Sequence, residues 1–229
     1  SMDAVTIEKD TAGLDVSVYH LDRFLPVFSY RMFQTKQIDA KSNYEYFFPD
    51  TQWKDNAGFN IANASVKEYE IIADNGYIYT VDRVLRPLET IYKELASNNQ
   101  FSDFLDLYNA YDYYQLDPIL TLEYGNGTSL FQHYHSSPLA NIACEWPVTD
   151  YRMVDKIAFQ SYSVFAPSNN ALRSFFDDYW RIGGYNTLAE VSKTSVNYLL
   201  FNCVYSSSIV FPDEIKKGLI IIIIVKTIK

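Results

Sequence analysis

The chain has 229 residues, which is enough for one large domain or two small ones. Its net charge of −9 and its pI near 4.8 argue against a nucleic-acid partner, because phosphate binding requires clustered Lys and Arg. The hydrophobic content of 48% is typical of a globular protein, while the aromatic content of 17% is high. We expect most of these aromatic side chains in the core.

Motifs that would indicate catalysis are missing from the sequence. It contains no Gly-x-Ser-x-Gly elbow, no phosphate-binding loop and no His-Glu-x-x-His. No cofactor is predicted, and no spacing indicates a catalytic site. A pair of Asp or Glu residues for glycoside hydrolysis stays open, because the geometry of such a pair is three-dimensional. The two cysteines, Cys144 and Cys203, are too few for a disulfide-stapled mini-domain, and whether they pair stays open.

The first third of the chain shows strand patterns and aromatic segments. Residues 14–21 alternate between apolar and polar side chains, which predicts a half-buried strand. Residues 23–35 predict an irregular loop with a short helix or strand. Residues 43–53 are aromatic and contain Pro49, which indicates an edge strand or a surface aromatic patch.

A β-hairpin is predicted over residues 66–84. Its strands are rich in β-branched and aromatic residues, and Asn75-Gly76 between them is a strong turn signal. Pro87 ends the pattern because proline lacks the N–H that a strand ladder needs. Residues 59–64 are expected to form a further strand before the hairpin.

Helical spacing of apolar residues follows the hairpin. It predicts helices over 88–96 and 101–112, with a dense tyrosine cluster at 108–114 of which some members are expected to be exposed. His133-Tyr134-His135 would place two imidazoles on one face of a strand. A third ligand would have to come from elsewhere, so no metal is predicted.

The last third of the chain is expected to continue with a strand, two helices and an apolar tail. Residues 157–165 predict a strand, and Ser168-Asn169 is a good cap for a helix that ends near Gly183-Gly184. Residues 188–204 predict a second helix. The isoleucine run at 219–225 indicates a buried strand or an aggregating segment.

Two segments resemble the signature boxes of the fasciclin domain family. Residues 75–87, Asn-Gly-Tyr-Ile-Tyr-Thr-Val-Asp-Arg-Val-Leu-Arg-Pro, resemble the second box, with Thr80 where isoleucine is commoner. Residues 163–172, Ser-Val-Phe-Ala-Pro-Ser-Asn-Asn-Ala-Leu, resemble the first box, with serine for threonine at 163 and 168 and Leu172 for phenylalanine. Tyr19-His20 is similar to a Tyr-His pair that lies between the boxes in many members.

The two boxes stand in reversed order, since the second-box match precedes the first-box match. Residues 14–88 therefore resemble the back half of one fasciclin domain, and residues 89–229 resemble the front half of another, with an insertion near 117–160. Three explanations remain open: a piece of a tandem array, halves that complete each other within one chain, or halves exchanged between chains in a domain-swapped homodimer.

The resemblance implies an α+β fold, with a β-sandwich-like or wedge-shaped core packed against several helices. It also implies a non-enzymatic, extracytoplasmic adhesion or protein-binding module. The tyrosine-rich style is similar to fasciclin proteins of gut-type Bacteroidetes, which are often lipoproteins of the cell surface. Ser1-Met2 resembles the remnant of an expression tag, so we expect a native leader or lipid anchor to precede the sequence given.

The alternative function that the resemblance allows is a glycan-binding accessory protein of a polysaccharide-utilisation system. An exposed, coplanar platform around residues 108–114 or Trp53 would favour this alternative, whereas a flat patch of mixed polarity would favour protein binding. Expected partners are therefore a protein or a polysaccharide at the cell surface. The sequence does not name a ligand or a contact residue.

Overall fold

The computed structural model describes residues 5–19, 25–54, 58–86, 89–137, 142–143, 163–205 and 209–218. Within these ranges helices and strands are both abundant, and the strands form separate sheets. This arrangement confirms the predicted α+β class. The chain divides into two compact units. The first contains the described residues before position 22 and between 89 and 209, and the second contains those between 23 and 88 and from 210 onward. The assignment of the chain to fasciclin half-domains stays a prediction.

The first unit contains a four-stranded sheet in which distant segments meet. Its strand order is β1-β2-β8-β7, and its strands are β1 (Val5–Lys9), β2 (Asp15–Tyr19), β7 (Asp112–Leu116) and β8 (Phe131–His135). β2 pairs with β8 in parallel through Val18 and Phe131, and the other pairs are antiparallel. The strand predicted over residues 14–21 is thus confirmed over Asp15–Tyr19, while residues 20 and 21 lie outside the described residues. The hairpin of β1 and β2 adds two strands to the antiparallel pair β7 and β8.

Helices supply the hydrophobic core of the first unit. They are α3 (Ile91–Ala96), α4 (Ser102–Asn109) and α5 (Pro118–Tyr124), then the helix Asn169–Phe175, which continues through a π-helical turn Phe176–Trp180, and the helix Lys193–Cys203; 3-10 turns cover Asn99–Phe101 and Leu188–Glu190. Fully buried side chains from three of these helices, Phe104, Tyr108, Leu172 and Leu200, lie at the centre of the core.

The segment that resembles the first fasciclin box adopts the predicted local structure. Ser163–Val164 forms a short strand antiparallel to Val204–Tyr205. The Ser168 hydroxyl accepts a hydrogen bond from the Ala171 N–H and caps the following helix, as expected of serine at this position.

The described part of the second unit holds a four-stranded antiparallel sheet and three short helices. The strand order is β3-β4-β5-β6, with β3 (Val27–Ser29), β4 (Phe59–Ile61), β5 (Ala64–Ala73) and β6 (Gly76–Val81); the helices are α1 (Tyr30–Thr35), α2 (Ala40–Phe47) and Pro212–Lys216. Its core is an aromatic cluster with edge-to-face contacts between rings 5.2 to 6.3 Å apart, for example those that Phe28 and Phe33 each make with Phe211. The expectation that most aromatic side chains lie in the core is met only in part, since other aromatic residues, such as Tyr77, Tyr79 and Tyr113, are exposed.

The predicted hairpin is present, but its turn lies one residue earlier than expected. Ala73 pairs with Gly76, so Asp74-Asn75 forms the turn and Gly76 already belongs to β6. Gly76 does not adopt a positive φ, so the conformational freedom of glycine is not needed there. The register shifts twice between Val66 and Ile71, where Glu70 has a φ of 60° in the left-handed region, as expected for a bulge.

Three other predictions are wrong in detail. Residues 43–53 form neither an edge strand nor a surface patch, because α2 runs through 40–47 and the rings of Tyr44 and Trp53 are buried. The helix predicted to 112 ends at Asn109, and the following residues form β7. The helix predicted over 188–204 begins only at Lys193. The tail at 219–225, Cys144, His20 and Pro87 lie outside the described residues.

Candidate functional site

The strand β8 places two histidines on one face of the first sheet, as its alternation predicts. His133 and His135 are both only 2% exposed. In the antiparallel pairing with β7, His133 lies opposite Tyr114 and His135 lies opposite Asp112, so these four side chains share a face. A buried polar cluster of this kind is unusual in a small core.

His133 lies between two carboxylates from different strands. Its Nε2 is 2.6 Å from Asp112 Oδ2, a hydrogen bond, and its Nδ1 is 3.0 Å from Glu8 Oε2. The second contact is an ion pair by distance without the alignment of a hydrogen bond. The Tyr114 hydroxyl donates to the same Glu8 oxygen at 3.1 Å. We call Glu8, His133 and Asp112 the buried triad.

The electrostatics of the buried triad favour a protonated imidazole. Burial alone would lower the pKa of His133, but the hydrogen bond to Asp112 and the contact with Glu8 outweigh burial and raise this pKa above its ordinary value. A cation between two carboxylates neutralises part of their charge, which an uncompensated pair could not sustain in the interior.

Aromatic rings surround the imidazole of His133. Tyr114 stacks on it with ring centres 4.3 Å apart, and Tyr92 approaches edge-on at 4.8 Å. Burial raises the pKa of Tyr92 to about 12, and burial together with the Glu8 carboxylate raises that of Tyr114. Both phenols therefore stay neutral at physiological pH and act as hydrogen-bond donors rather than as bases.

His135 has the opposite protonation state. Its Nδ1 accepts a hydrogen bond from the Ser137 N–H at 3.0 Å, which requires a neutral ring, and its ring packs 4.4 Å from that of Tyr108. Burial lowers its pKa to about 4. Two imidazoles on one strand thus differ in charge because only His133 is paired with carboxylates at both ring nitrogens.

A cavity of about 670 Å³ opens beside the buried triad. It lies within the first unit, between the β1–β2 turn, α3, the end of α4 and β7. We call it the acidic cavity because four carboxylates line it, together with two tyrosines; its walls are formed by Glu8, Lys9, Asp10, Thr11, Tyr92, Asp106, Asn109, Ala110, Asp112 and Tyr114. A volume of this size suits a small organic ligand.

The residues examined in the sequence for a metal are not arranged to bind one. Both ring nitrogens of His133 already face carboxylates, and Nδ1 of His135 accepts a backbone hydrogen bond. Across the described ranges, no group of three or more His, Cys, Asp or Glu side chains could hold a metal ion. Cys203 is a buried free thiol, and burial raises its pKa to about 11, which disfavours the reactive thiolate form at neutral pH.

The end of the β5–β6 hairpin exposes apolar side chains. Ile72 and Tyr77 face each other across the two strands and are 82% and 66% exposed. Ile78 and Tyr79 are 52% and 44% exposed, and Ile71 is 40% exposed. We call these five residues the hairpin patch. Among the strands that the structure describes, β6 also stands at the edge of its sheet.

Some residues of the site were predicted from the sequence and others were not. Tyr108 and Trp53 are buried, so neither contributes to the exposed aromatic platform that would have favoured glycan binding. In the cluster at 108–114 Tyr113 is exposed, which confirms the expectation that some members are. Glu8 and Asp112 were not singled out. Their alternation with apolar neighbours in β1 and β7 was the available signal, but it does not show which strands pair.

No protein-family model, curated protein or solved structure matches the chain. None of the helices within the described ranges is long and apolar enough to cross a membrane.

Proposed function

We propose that this protein is a non-enzymatic, extracytoplasmic adhesion module of the fasciclin type that binds a partner protein through the hairpin patch. The observation that carries the proposal is the exposure of five large apolar side chains at the end of one hairpin. Large apolar side chains grouped in solvent are costly, and such groups are characteristic of protein interaction sites.

The shape of the hairpin supports a protein partner rather than a sugar. Ile72 and Tyr77 project from one face of the ribbon, and the opposed pair Ile71 and Ile78 projects from the other. Aliphatic side chains bury well against another apolar surface but offer no hydrogen bonds to hydroxyl groups. Among the described strands β6 is an edge strand, and its backbone groups add a means of pairing with a partner strand.

The test is adhesion of beads coated with the purified chain to surfaces coated with fibronectin, collagen or dextran. We expect retention on a protein surface and not on dextran. The double variant Ile72→Lys/Tyr77→Glu should abolish retention, because it charges the centre of the hairpin patch. Leu122→Lys is the matched control, since Leu122 is 87% exposed on α5, outside the patch. Equal retention of the double variant would overturn the proposal.

Light scattering on the same samples separates a foreign partner from a second copy of the chain. A wild-type monomer is expected for a module that binds another protein. A dimer that the double variant converts to a monomer would make the second copy the occupant of the patch. A dimer that persists in the double variant and exchanges slowly would indicate swapped half-domains instead.

A second candidate function is glycan binding, and the acidic cavity is the observation that favours it. Tyr92 and Tyr114 supply aromatic surface there, and Asn109 and the carboxylates supply acceptors and donors for hydroxyl groups. Titration of the purified chain with neutral oligosaccharides tests this function independently of the hairpin patch. Binding that survives the Ile72→Lys/Tyr77→Glu double variant would place the sugar away from the hairpin.

A further inference from the structure

We infer that the acidic cavity is a binding site for the protonated amino group of a small organic ligand. The inference goes beyond protein binding by the hairpin and does not depend on it. It rests on a cavity of about 670 Å³ whose walls combine an excess of negative charge, two tyrosine rings and a helix C-terminus.

The charge of the cavity is not balanced by its own residues. A protonated His133 compensates one of the two negative charges of Glu8 and Asp112, while Asp10 and Asp106 add two further carboxylates at the wall. Lys9 is the one cationic residue that lines the cavity, and its ammonium group forms an ion pair with Asp15.

Asp106 is the carboxylate most available to a ligand. It is exposed, and it forms no side-chain hydrogen bond or ion pair within the part of the chain that the structure describes. Asp10, by contrast, accepts hydrogen bonds from the N–H groups of Ala12 and Leu14 at 2.9 and 2.8 Å and so shapes the β1–β2 turn. A bound cation would therefore meet Asp106 without displacing an existing partner.

The walls of the cavity also favour a cation. Asn109 and Ala110 lie at the C-terminal end of α4, where the helix dipole places partial negative charge. The Tyr92 hydroxyl is fixed by a hydrogen bond to Asn109 Oδ1 at 3.0 Å, which holds its ring in the wall. Tyrosine rings attract cations through their electron-rich faces.

The size of the cavity indicates an organic cation rather than a metal ion. A volume of about 670 Å³ is many times that of a bare ion and is in the range of small-molecule sites. The imidazole of His133 is not available as a ligand, since its side chain is 1% exposed. Its part is to hold Glu8 and Asp112 in the wall.

The experiment is an NMR titration of the isotope-labelled chain with three probes. Spermidine represents a free polyamine, a glucosamine oligomer represents an amino sugar, and the N-acetylglucosamine oligomer of equal length is the uncharged match. We expect spermidine or the glucosamine oligomer, or both, to shift the amide signals of residues 109–112. The acetylated oligomer should leave these signals unchanged. Which of the two amines binds identifies the source of the amino group.

The variant Asp106→Asn should weaken amine binding about two- to fivefold, the range for an exposed ion pair. Asp178→Asn is the matched control, since Asp178 is also an exposed helical carboxylate but does not line the cavity. Both substitutions are on the surface, so both variants should fold.

Two outcomes would overturn the inference, and they differ in what they leave standing. Equal shifts with the charged and the acetylated oligomers would show a neutral-sugar site and would support glycan binding. An absence of shifts with all three probes would remove both the amine site and glycan binding at this cavity. Neither outcome bears on adhesion through the hairpin patch.

Discussion

The first sheet and the β5–β6 hairpin depart from the usual distribution of residues in opposite directions. The first sheet holds a buried histidine between two carboxylates whose side chains are only 14% and 5% exposed, whereas the hairpin leaves five large apolar side chains in solvent. Burying charge and exposing apolar surface both cost free energy. Function is therefore best sought at the two places where the fold tolerates this cost, the acidic cavity and the hairpin patch.

The largest expected effect comes from removing the cation of the buried triad. His133→Leu leaves Glu8 and Asp112 buried without compensation, so the free energy of unfolding should fall by about 3–5 kcal/mol, measured by urea denaturation at neutral pH. The control adds Glu8→Gln and Asp112→Asn to the same variant. If the buried charge is the cause, the triple variant recovers most of the loss. A single variant within about 1 kcal/mol of wild type would contradict the ion-pair account.

The buried triad was predictable from the sequence only in part. Alternation in residues 131–135 was enough to predict that both imidazoles share a face. The partners of His133 were not predictable, because Glu8 is 125 positions away in sequence from it and pairing between β1, β2, β8 and β7 is a long-range property. Local patterns fix the direction of a side chain, whereas tertiary pairing decides what it meets.

The hairpin was predictable because its signals are local. The wrong prediction for residues 43–53 also has a local cause. Two strand-like runs joined by a short polar turn specify a hairpin without tertiary information. At residues 43–53 the aromatic content and Pro49 suggested a strand. The stronger signal was Asp39, whose carboxylate accepts a hydrogen bond from the Ser42 N–H and starts α2. Pro49 follows the end of that helix and does not interrupt a strand.

The two histidines should make the stability of the fold depend on pH in opposite ways. The expected effect of replacing His135 is the second largest. The pKa of His135 is lowered from 6.5 to about 4 in the folded chain. Between these two pH values the unfolded chain binds a proton at His135 that the folded chain does not bind. His135→Phe removes this penalty. The stability of the variant relative to wild type should rise as pH falls from 6.5 towards 4, by up to about 3 kcal/mol.

His133 should behave in the opposite way because its folded-state pKa is raised. Its contribution is complete below the ordinary pKa of 6.5 and is lost as pH rises through the higher folded-state value. The penalty of His133→Leu should therefore shrink at alkaline pH. Urea denaturation of the three proteins over a pH series measures both effects. Flat differences across the series would show that neither histidine titrates as its environment implies.

A carboxylate in the second unit gives a smaller expected effect. Asp82 accepts a hydrogen bond from the Ser65 N–H at 2.9 Å and lies 3.4 Å from Arg83 Nε. Burial alone would raise the pKa of Asp82, but these partners outweigh it and lower the pKa. Asp82→Ala should reduce the free energy of unfolding by about 2 kcal/mol, a typical value for hydrogen bonds to a charged group.

The control for Asp82 is Asp74→Ala, because Asp74 is an exposed residue of the hairpin turn. Its effect should stay within about 0.5 kcal/mol. Since the pKa of Asp82 is lowered, its contribution is present above the ordinary value of 3.8 and is lost as pH falls through the folded-state value. Equal effects of the two substitutions would mean that the hydrogen bond to Ser65 does not stabilise the hairpin.

The smallest expected effect on stability is that of the substitutions that should abolish adhesion. Ile72 and Tyr77 are 82% and 66% exposed, so charging them removes little buried apolar area. They also face each other across β5 and β6, and the double variant Ile72→Lys/Tyr77→Glu replaces one favourable cross-strand pair by another. The free energy of unfolding should therefore change by less than about 0.5 kcal/mol. Phe28→Ala, in the buried aromatic cluster of the same unit, should cost about 3–5 kcal/mol. A loss above about 1.5 kcal/mol in the double variant would show that the hairpin patch is buried in solution, and the contrast with the first sheet would then fail.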